Sequence, residues 1–273
     1  MTEQDVQIQT FVLRLGEQAV HVRQMGAGAG LPLVLVHGFG GSVSNWQLTQ
    51  QAQASNRRVI AFDLPGHGKS SALPGPPTLA RLAQVTSHVL AGMGVRRAHI
   101  LGHSLGGGIA LFVLGRAPAQ VASLSLLAPA GLGTDVNMAF ITGFVEASTV
   151  ADMAAAMAMA VYDPRLIGRK VAEFLVEARA IPGAREALRD IARTCFAHGK
   201  QANDLRPVLQ DAPCPIQVIW GEEDRVLSAT QAEGLPAGVP CHFLPRTGHL
   251  PHIEQAGTVN ATVGAFLRDC EKA

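Results

Sequence analysis

Short apolar runs separated by polar and glycine-rich segments recur along this chain. From Val6 to Leu15 and from Ala19 to Val22, apolar and polar residues alternate, which is the pattern of half-buried strands, and we interpret the pair as a hairpin. Short runs that predict strands follow at residues 33–36, 58–62, 99–101, 216–220 and 241–244, of which 33–36 and 216–220 are predominantly apolar. Because helical stretches alternate with these runs, we expect an α/β fold with a mostly parallel sheet flanked by helices.

Between Gly131 and about Asn203 the strand pattern stops and helical runs replace it, at residues 151–159 and 165–179. We interpret residues 131–203 as a helical insertion after the sixth strand, with residues 1–130 and 204–273 as the core. The methionines of this insertion are suited to lining an irregular apolar pocket, because thioethers fill uneven space, or to packing the insertion against itself.

Two further segments have a structural interpretation. The helical run 255–268 places Val259, Val263, Phe266 and Leu267 at helical spacing, which predicts packing on the sheet. The glycines of the segment 26–30 resemble a dinucleotide-binding loop, but that fingerprint has to follow a strand and open a helix, whereas this segment precedes a strand. We interpret it as a hairpin loop.

The most informative motif is Gly102–Gly106, which has the pattern G-x-S-x-G. The strand-like run 99–101 leads into it and the helical run 107–112 leads out. A serine between a strand and a helix in this pattern is typical of a nucleophile elbow, in which a sharp turn exposes the hydroxyl to a cleft. We predict that Ser104 is a catalytic nucleophile.

A second glycine-rich loop, residues 37–42, follows the strand run 33–36. Loops of this kind turn main-chain N–H groups toward a ligand oxygen, and such groups stabilise an oxyanion. We predict that the N–H groups of Phe39 and Leu105 form the oxyanion hole.

Carboxylates follow the strand run 216–220, where they stand at the carboxyl end of a predicted parallel strand. We predict Asp224 as the catalytic acid, with Glu222 and Glu223 as the competing residues. Beyond the run 241–244, a glycine-containing loop carries His249, which we predict as the general base. His252 is expected to pack or form hydrogen bonds near it.

Other polar residues near these motifs have structural interpretations. Asp63 ends the strand run 58–62 but lies before the serine in sequence, and a structural hydrogen-bonding role is expected for it. His37, His67 and His103 belong to turn motifs, where histidines are more often structural than proton carriers.

The chain order Ser104, Asp224, His249 is the order of the α/β-hydrolases. With the elbow, the glycine-rich loop and the segment Arg58–Ser70, the chain resembles that superfamily over nearly its whole length. The resemblance implies an α/β-hydrolase fold with a mostly parallel eight-stranded sheet, in which residues 131–203 form a helical cap over the serine. It also implies an acyl-enzyme mechanism that needs no cofactor.

A narrower resemblance, carried by Leu127–Gly133 and Val218–Val226, is to the hydrolase part of acetoin dehydrogenase E2-type proteins. Those proteins carry a lipoyl domain, whereas this sequence passes from Val6–Gln9 directly into the hydrolase, so we expect none ahead of it. The acyltransferases of 2-oxo acid dehydrogenases use a His-x-x-x-Asp signature, and none of the ten histidines here has Asp four residues later. Dihydrolipoyl acyl transfer is therefore not expected.

Length and net charge limit the kinds of partner that this protein is expected to bind. With 273 residues and a net charge of +1, the sequence indicates one hydrolase domain and no general attraction to nucleic acid or to a membrane. The polar start, without a basic and then apolar run, predicts a cytoplasmic protein.

No zinc-type spacing is present, and we expect no metal. A homodimer is compatible with the sequence. Free thiols are expected at all four cysteines: Cys195, Cys214, Cys241 and Cys270.

These features predict a serine hydrolase for a small or medium carboxylic ester. Three alternatives stay open: hydrolysis of a carbon–carbon bond in a ring-cleavage product, cofactor-free perhydrolase or haloperoxidase chemistry, and an acyltransferase-associated role. Carbon–carbon hydrolases often have Asn at the position of His103. We also expect Gly38, His103 and Trp46 to contact the substrate, although packing explains an aromatic residue beside a loop equally well.

Overall fold

The computed structural model describes residues 7–272, so Val6, the first residue of the predicted hairpin, lies outside the described part. Eight strands form one sheet in the order β1-β2-β4-β3-β5-β6-β7-β8. The strands are β1 (Ile8–Leu15), β2 (Gln18–Ala29), β3 (Leu33–Val36), β4 (Arg57–Phe62), β5 (Ala98–His103), β6 (Val121–Leu127), β7 (Ile216–Gly221) and β8 (Cys241–Leu244).

The connections contain α-helices and shorter 3-10 turns. The α-helices are α1 (Gln47–Gln53), α2 (Leu79–Gly92), α3 (Leu105–Arg116), α4 (Met138–Glu146), α5 (Val150–Ala158), α6 (Arg169–Ala180), α7 (Ala184–Cys195), α8 (Arg206–Gln210), α9 (Pro251–Glu254) and α10 (Ala256–Cys270). The 3-10 turns lie at Val43–Trp46, Pro118–Gln120, Pro164–Leu166, Ala197–Gly199 and Ala229–Ala232.

Strand pairing confirms the predicted sheet. β1 and β2 form an antiparallel hairpin, β2 also pairs antiparallel with β4, and every pairing from β4 through β3 to β8 is parallel. Because parallel strands all end at the same edge, the segments that follow β3, β5, β7 and β8 meet there. These are the glycine-rich loop, the G-x-S-x-G turn, the acid loop and the loop of His249.

The predicted hairpin loop at residues 26–30 is wrong. β2 continues through Gly28 to Ala29, and its register with β4 shifts after Met25. A Cβ atom on Gly26 would lie 2.4 Å from the main-chain oxygens of Ala54 and Arg57. The glycines therefore permit a bulged strand to approach the neighbouring main chain closely, as glycines in strands often do.

The core lies on both faces of the sheet. Alternation along β3 sends Val34 and Val36 into a cluster with α2 and α3, and Leu33 and Leu35 into a second cluster. The second cluster also receives the buried face of α10, with Val259, Val263 and Leu267. The prediction that this helix packs on the sheet is confirmed.

Helices α4 to α7 lie between β6 and β7, where a cap was expected. We call residues 131–203 the cap segment, and its division from the core remains a prediction. The predicted helix at 165–179 begins later, at Arg169, because a 3-10 turn and Gly168 precede it. Among residues 7–272, no helix combines the length and apolar character needed to span a bilayer.

Candidate active site

Ser104 lies between the end of β5 and the start of α3, with φ 52° and ψ −119°. A non-glycine residue with positive φ is strained, and such strain is concentrated at functional sites. The flanking glycines allow this turn: a Cβ atom on Gly106 would lie 2.1 Å from the oxygen of Val36, and one on Gly102 would lie 2.5 Å from the oxygen of Gly106. The sharp strand-to-helix turn is the predicted elbow geometry.

The predicted acid and base are paired. Nδ1 of His249 donates a hydrogen bond of 2.7 Å to Oδ2 of Asp224, and both side chains are buried. Oδ1 of Asp224 accepts the main-chain N–H groups of Val226 and Leu227, and Oδ2 also accepts the indole N–H of Trp220. The carboxylate is therefore fixed in place, and its bond to Nδ1–H leaves Nε2 of a neutral His249 ring as a proton acceptor.

Ser104 and His249 line the same cavity. Within residues 7–272, no hydrogen bond joins the Ser104 hydroxyl to the imidazole. Catalytic hydrogen bonds often tighten only when substrate binds, and the shared cavity is compatible with such a step. The competing acid Glu223 accepts the N–H of Thr247, and Glu222 is exposed, so neither takes the place of Asp224 beside His249.

Of the two residues whose N–H groups are predicted to form an oxyanion hole, Phe39 lines the cavity and Leu105 directly follows Ser104 at the start of α3. Within the described residues, neither Phe39 N–H nor Leu105 N–H has a hydrogen-bond partner in the protein. The loop of Phe39 is held by its neighbours, because Gly41 N–H donates to Gly38 O at 3.1 Å and Gly40 N–H donates to Nε2 of His67 at 3.0 Å. Both predicted donors are thus without a partner among the described residues.

Two buried histidines support this loop. His37 donates from Nδ1 to Gly38 O and accepts the N–H of Leu64 at Nε2, at 2.8 and 2.9 Å. His67 donates to Pro65 O and accepts from the loop. Burial lowers the pKa of His37, and it lowers the pKa of His67 to about 3. Both rings therefore stay neutral near pH 7 and have the structural role expected from the sequence.

Asp63 also has the expected structural role. Its Oδ1 accepts the N–H of Val43 at 2.7 Å, and its Oδ2 accepts the N–H of Lys69 at 2.9 Å and Nδ1–H of His21 at 2.8 Å. The carboxylate joins β2, the segment after the glycine-rich loop and the turn after β4, and so helps to place the loop.

The structure brings two of the three predicted substrate-contact residues into the cavity. Gly38 and His103 line it, and Nε2 of His103 donates to the main-chain oxygen of His249 at 2.7 Å. Trp46 does not line the cavity: it is fully buried, with its ring centroid 4.7 Å from that of His252. Trp46 therefore packs in the core, which is the alternative left open for it, because the 3-10 turn Val43–Trp46 directs the ring inward.

The cavity has a volume of about 310 Å³ and lies between the elbow and the cap segment. Its cap-side wall is apolar, and it includes one of the predicted methionines, Met157, whereas Met153 is buried in the core. Apolar side chains that form this wall are Phe140, Ile141, Phe144, Met157, Leu175 and Leu188. A cavity of this size and character suits a small or medium-sized, largely apolar ligand.

One charged residue in this wall was missed from the sequence. Arg179 of α6 is 5% exposed, lines the cavity and lies over the ring of Phe144, with its guanidinium carbon 3.6 Å from the ring centroid. It donates a hydrogen bond to Leu175 O, and in the described part of the chain no carboxylate lies within 4.0 Å of it. Burial lowers the pKa of Arg179 to about 10, so the group remains a cation near pH 7.

A signal for Arg179 is present in the sequence. Ala172, Leu175, Val176 and Arg179 follow one another at helical spacing, so the arginine continues the apolar face of α6. A charge on an apolar helix face is a candidate for ligand binding.

Nothing in the described residues resembles a metal centre. No group of three or more His, Cys, Asp or Glu side chains is close enough together there to hold an ion.

The comparisons with known proteins agree with this architecture. Residues 33–262 match the model of the alpha/beta hydrolase family. The dihydrolipoyllysine-residue acetyltransferase component of the acetoin cleaving system of Pseudomonas putida is 40% identical over 90% of this chain, which spans only 65% of that protein.

Two further relatives are covered almost completely. The 2-hydroxymuconate semialdehyde hydrolase of Pseudomonas sp. strain CF600 is 31% identical, with 90% of each chain covered. A meta-cleavage product hydrolase from Pseudomonas fluorescens IP01 has a similar structure, with a TM-score of 0.85, 24% identity and 96% and 97% of the two chains covered. That likeness shows the fold. The match to the family model over residues 33–262 establishes that this chain belongs to the α/β hydrolase family.

Proposed function

We propose that this protein is a serine hydrolase that cleaves a small or medium-sized carboxylic ester through an acyl-enzyme. The observation that carries the proposal is the buried His249–Asp224 pair at 2.7 Å, whose histidine shares a cavity with a strained Ser104. A serine hydroxyl is a weak nucleophile unless a positioned base accepts its proton. This pair supplies such a base.

In the proposed mechanism, Nε2 of His249 takes the proton of Ser104 as Oγ attacks the ester carbonyl. Asp224 keeps Nδ1 protonated and stabilises the imidazolium that forms. The imidazolium then protonates the leaving alcohol as the carbon–oxygen bond breaks. Water attacks the acyl-enzyme with His249 again as base, which releases the acid and restores the serine.

Negative charge develops on the carbonyl oxygen in both steps. The N–H groups of Phe39 and Leu105 are suited to stabilise it, because neither is used within the described protein. Each donor of this kind contributes about 3 kcal/mol to lowering the barrier. His37 and His67, which hold the loop, support this role without transferring protons in the reaction.

Turnover of p-nitrophenyl acetate and p-nitrophenyl butyrate tests the proposal. We expect measurable hydrolysis of at least one ester by the unaltered protein and loss to background in Ser104→Ala. Ser123→Ala, which alters a buried serine of β6 outside the cavity, is the matched control and should keep activity. If Ser104→Ala hydrolyses the esters as well as the unaltered protein does, the proposal fails.

Arg179 favours a second candidate, hydrolysis of a carbon–carbon bond in a carboxylate-bearing ring-cleavage product. A buried guanidinium without a carboxylate partner is a binding group for an anionic substrate. The relative from strain CF600 is named for a muconate semialdehyde, and a relative from Cupriavidus pinatubonensis, 28% identical over 92% of this chain, is named for a dienedioate and a trienedioate. Both names describe carboxylates.

A vinylogous 1,5-diketone that carries a carboxylate separates the two candidates. Cleavage of this compound, followed by loss of its ultraviolet absorbance, together with no turnover of either nitrophenyl ester, favours the carbon–carbon hydrolase. Turnover of the esters alone favours the esterase. Ser104→Ala is measured in both assays, because loss of activity in this variant identifies Ser104 as the nucleophile.

A further inference from the structure

The two residues on either side of His249 are held by one side chain. Gly248 N–H donates to the two carboxylate oxygens of Glu254 at 3.0 and 3.1 Å, and Leu250 N–H donates to Oε1 at 3.1 Å. Glu254 ends α9, which starts directly after this loop. A single carboxylate therefore fixes the main chain before and after His249.

The same carboxylate contacts the cap segment. Oε2 of Glu254 accepts the N–H of Tyr162 at 2.7 Å. A second bond joins the same two regions, because the main-chain N–H of His249 itself donates to Ala160 O at 2.8 Å. The short stretch 158–162, at the end of α5, is thus hydrogen-bonded both to His249 and to Glu254, which holds the residues on either side of His249.

The acid loop holds this stretch from the other side. Arg225, the residue after Asp224, donates to the main-chain oxygens of Ala158 and Val161 at 2.6 and 2.7 Å. Contact is close enough that a Cβ atom on Gly248 would lie 2.8 Å from the nitrogen of Tyr162. The cap segment is therefore bonded to the loops of both the proposed acid and the proposed base.

A carboxylate is suited to this position because it only accepts hydrogen bonds. Three N–H groups converge on the two oxygens of Glu254, and hydrogen bonds to an ionised acceptor are about twice as strong as those between neutral groups. An amide in its place would keep one acceptor oxygen and turn an N–H₂ group toward the remaining donors. One side of the connection would then be lost.

We propose that Glu254 is a positioning residue that ties the cap segment to His249, so that the cap and the base move together. This inference rests on the proposed function, in which His249 is the base. Glu254 touches neither the cavity nor Ser104 and acts through the main chain on either side of the imidazole. Cap movements during substrate binding are transmitted to the base by this contact.

Kinetics of Glu254→Gln test the effect on the base. Turnover is measured per serine titrated with a fluorophosphonate, so that misfolded protein does not count. We expect kcat for p-nitrophenyl butyrate to fall at least tenfold with KM within about twofold, and a smaller loss in Glu254→Asp, which stays an acceptor but is shorter. Glu222→Gln is the control: it removes an exposed carboxylate of the acid loop and should keep full turnover.

Hydrogen exchange tests the connection itself, independently of activity. In Glu254→Gln, peptides that cover residues 158–162 and 246–252 should both exchange faster, while Glu222→Gln changes neither. Unchanged exchange in either peptide, or full turnover per titrated serine, overturns the positioning role. If the unaltered protein neither hydrolyses esters nor reacts with the fluorophosphonate, the proposed function fails, and the exchange result still decides whether Glu254 connects the two segments.

Discussion

Nε2 of His103 donates a hydrogen bond of 2.7 Å to the main-chain oxygen of His249. The residue before Ser104 therefore holds the residue proposed to take its proton. The two rings lie 4.9 Å apart, and His103 also packs against His252 at 4.6 Å. Burial lowers the pKa of His103 well below its ordinary value, so this donor stays neutral near pH 7.

Replacing His103 by Phe tests this relationship. Phe keeps a ring in the stack but removes the donor, which leaves the oxygen of His249 buried without that bond, at a cost of about 1–3 kcal/mol. We expect a lower melting temperature and a kcat about tenfold lower or more, with a small change in KM. The exposed His88 offers the control His88→Phe, and equal kcat in both variants would contradict a role for the hydrogen bond.

Arg179→Met should separate stability from substrate binding. Methionine preserves length and contact with Phe144 but removes a buried cation that has no carboxylate partner among residues 7–272, so we expect an unchanged or higher melting temperature. KM should rise about tenfold or more for a carboxylate-bearing substrate, because one charge-assisted hydrogen-bond pair is lost. KM for p-nitrophenyl butyrate should stay within twofold.

The matched control for that change is Arg193→Met, which removes an exposed arginine of α7. If Arg179→Met alters neutral and anionic substrates equally, the side chain shapes the cavity and does not recognise charge.

Two glycines with opposite surroundings test the close packing of the elbow. A Cβ atom on Gly106 would lie 2.1 Å from Val36 O, whereas one on Gly257 of α10 meets no atom within 4 Å. Gly106→Ala should destabilise the protein by more than about 3 kcal/mol or prevent folding, because main chain has to move. Gly257→Ala should stabilise it by about 0.5–1 kcal/mol, as expected for a glycine replaced inside a helix. Urea unfolding measures both, and equal effects would contradict the elbow geometry.

The stability of the folded protein should depend on pH, because its buried histidines are neutral. The pKa of His67 is lowered to about 3 by burial, with His37 and Arg179 adding repulsion, whereas an unfolded histidine binds its proton near pH 6.5. Below about pH 6.5 the unfolded chain therefore binds more protons than the folded one, so stability falls as pH falls and is fully present above that value.

In His67→Gln, an amide oxygen replaces the acceptor for Gly40 N–H and does not titrate. The slope of unfolding free energy between pH 6 and 5 should decrease by about 1.4 kcal/mol per pH unit, which corresponds to one proton. Urea unfolding at pH 7.5, 6.0 and 5.0 measures this slope. The exposed His88→Gln is the control, and identical slopes in both variants would be inconsistent with a neutral, buried His67.

Much of the fold follows from local sequence patterns. The runs that predicted β3, β4, β5 and β7 are short, almost entirely buried and bounded by glycine or polar residues, so their sequence alone indicates strands. The run that predicted β8 forms the edge strand, where His242 and Phe243 are exposed. The elbow is also local, because strand, turn and helix are contiguous. Ser104, Asp224 and His249 could be assigned together since parallel strands end at one edge of the sheet.

Features that depend on distant packing were not predictable in the same way. The glycines near residue 26 form a bulged strand because of main chain at Ala54 and Arg57, which nothing in their own sequence specifies. The burial of Trp46 against His252 and the contact of Glu254 with Tyr162 join segments far apart in the chain. Such contacts become visible only once the sheet has placed both segments.

Reaction with a fluorophosphonate, followed by peptide mass mapping, tests the central claim most directly. If His249 and Asp224 activate Ser104, one phosphonyl group should be found per chain, on Ser104, with no labelling of Ser104→Ala and much slower labelling of His249→Ala. Labelling at another residue, or an equal rate in His249→Ala, would contradict the account.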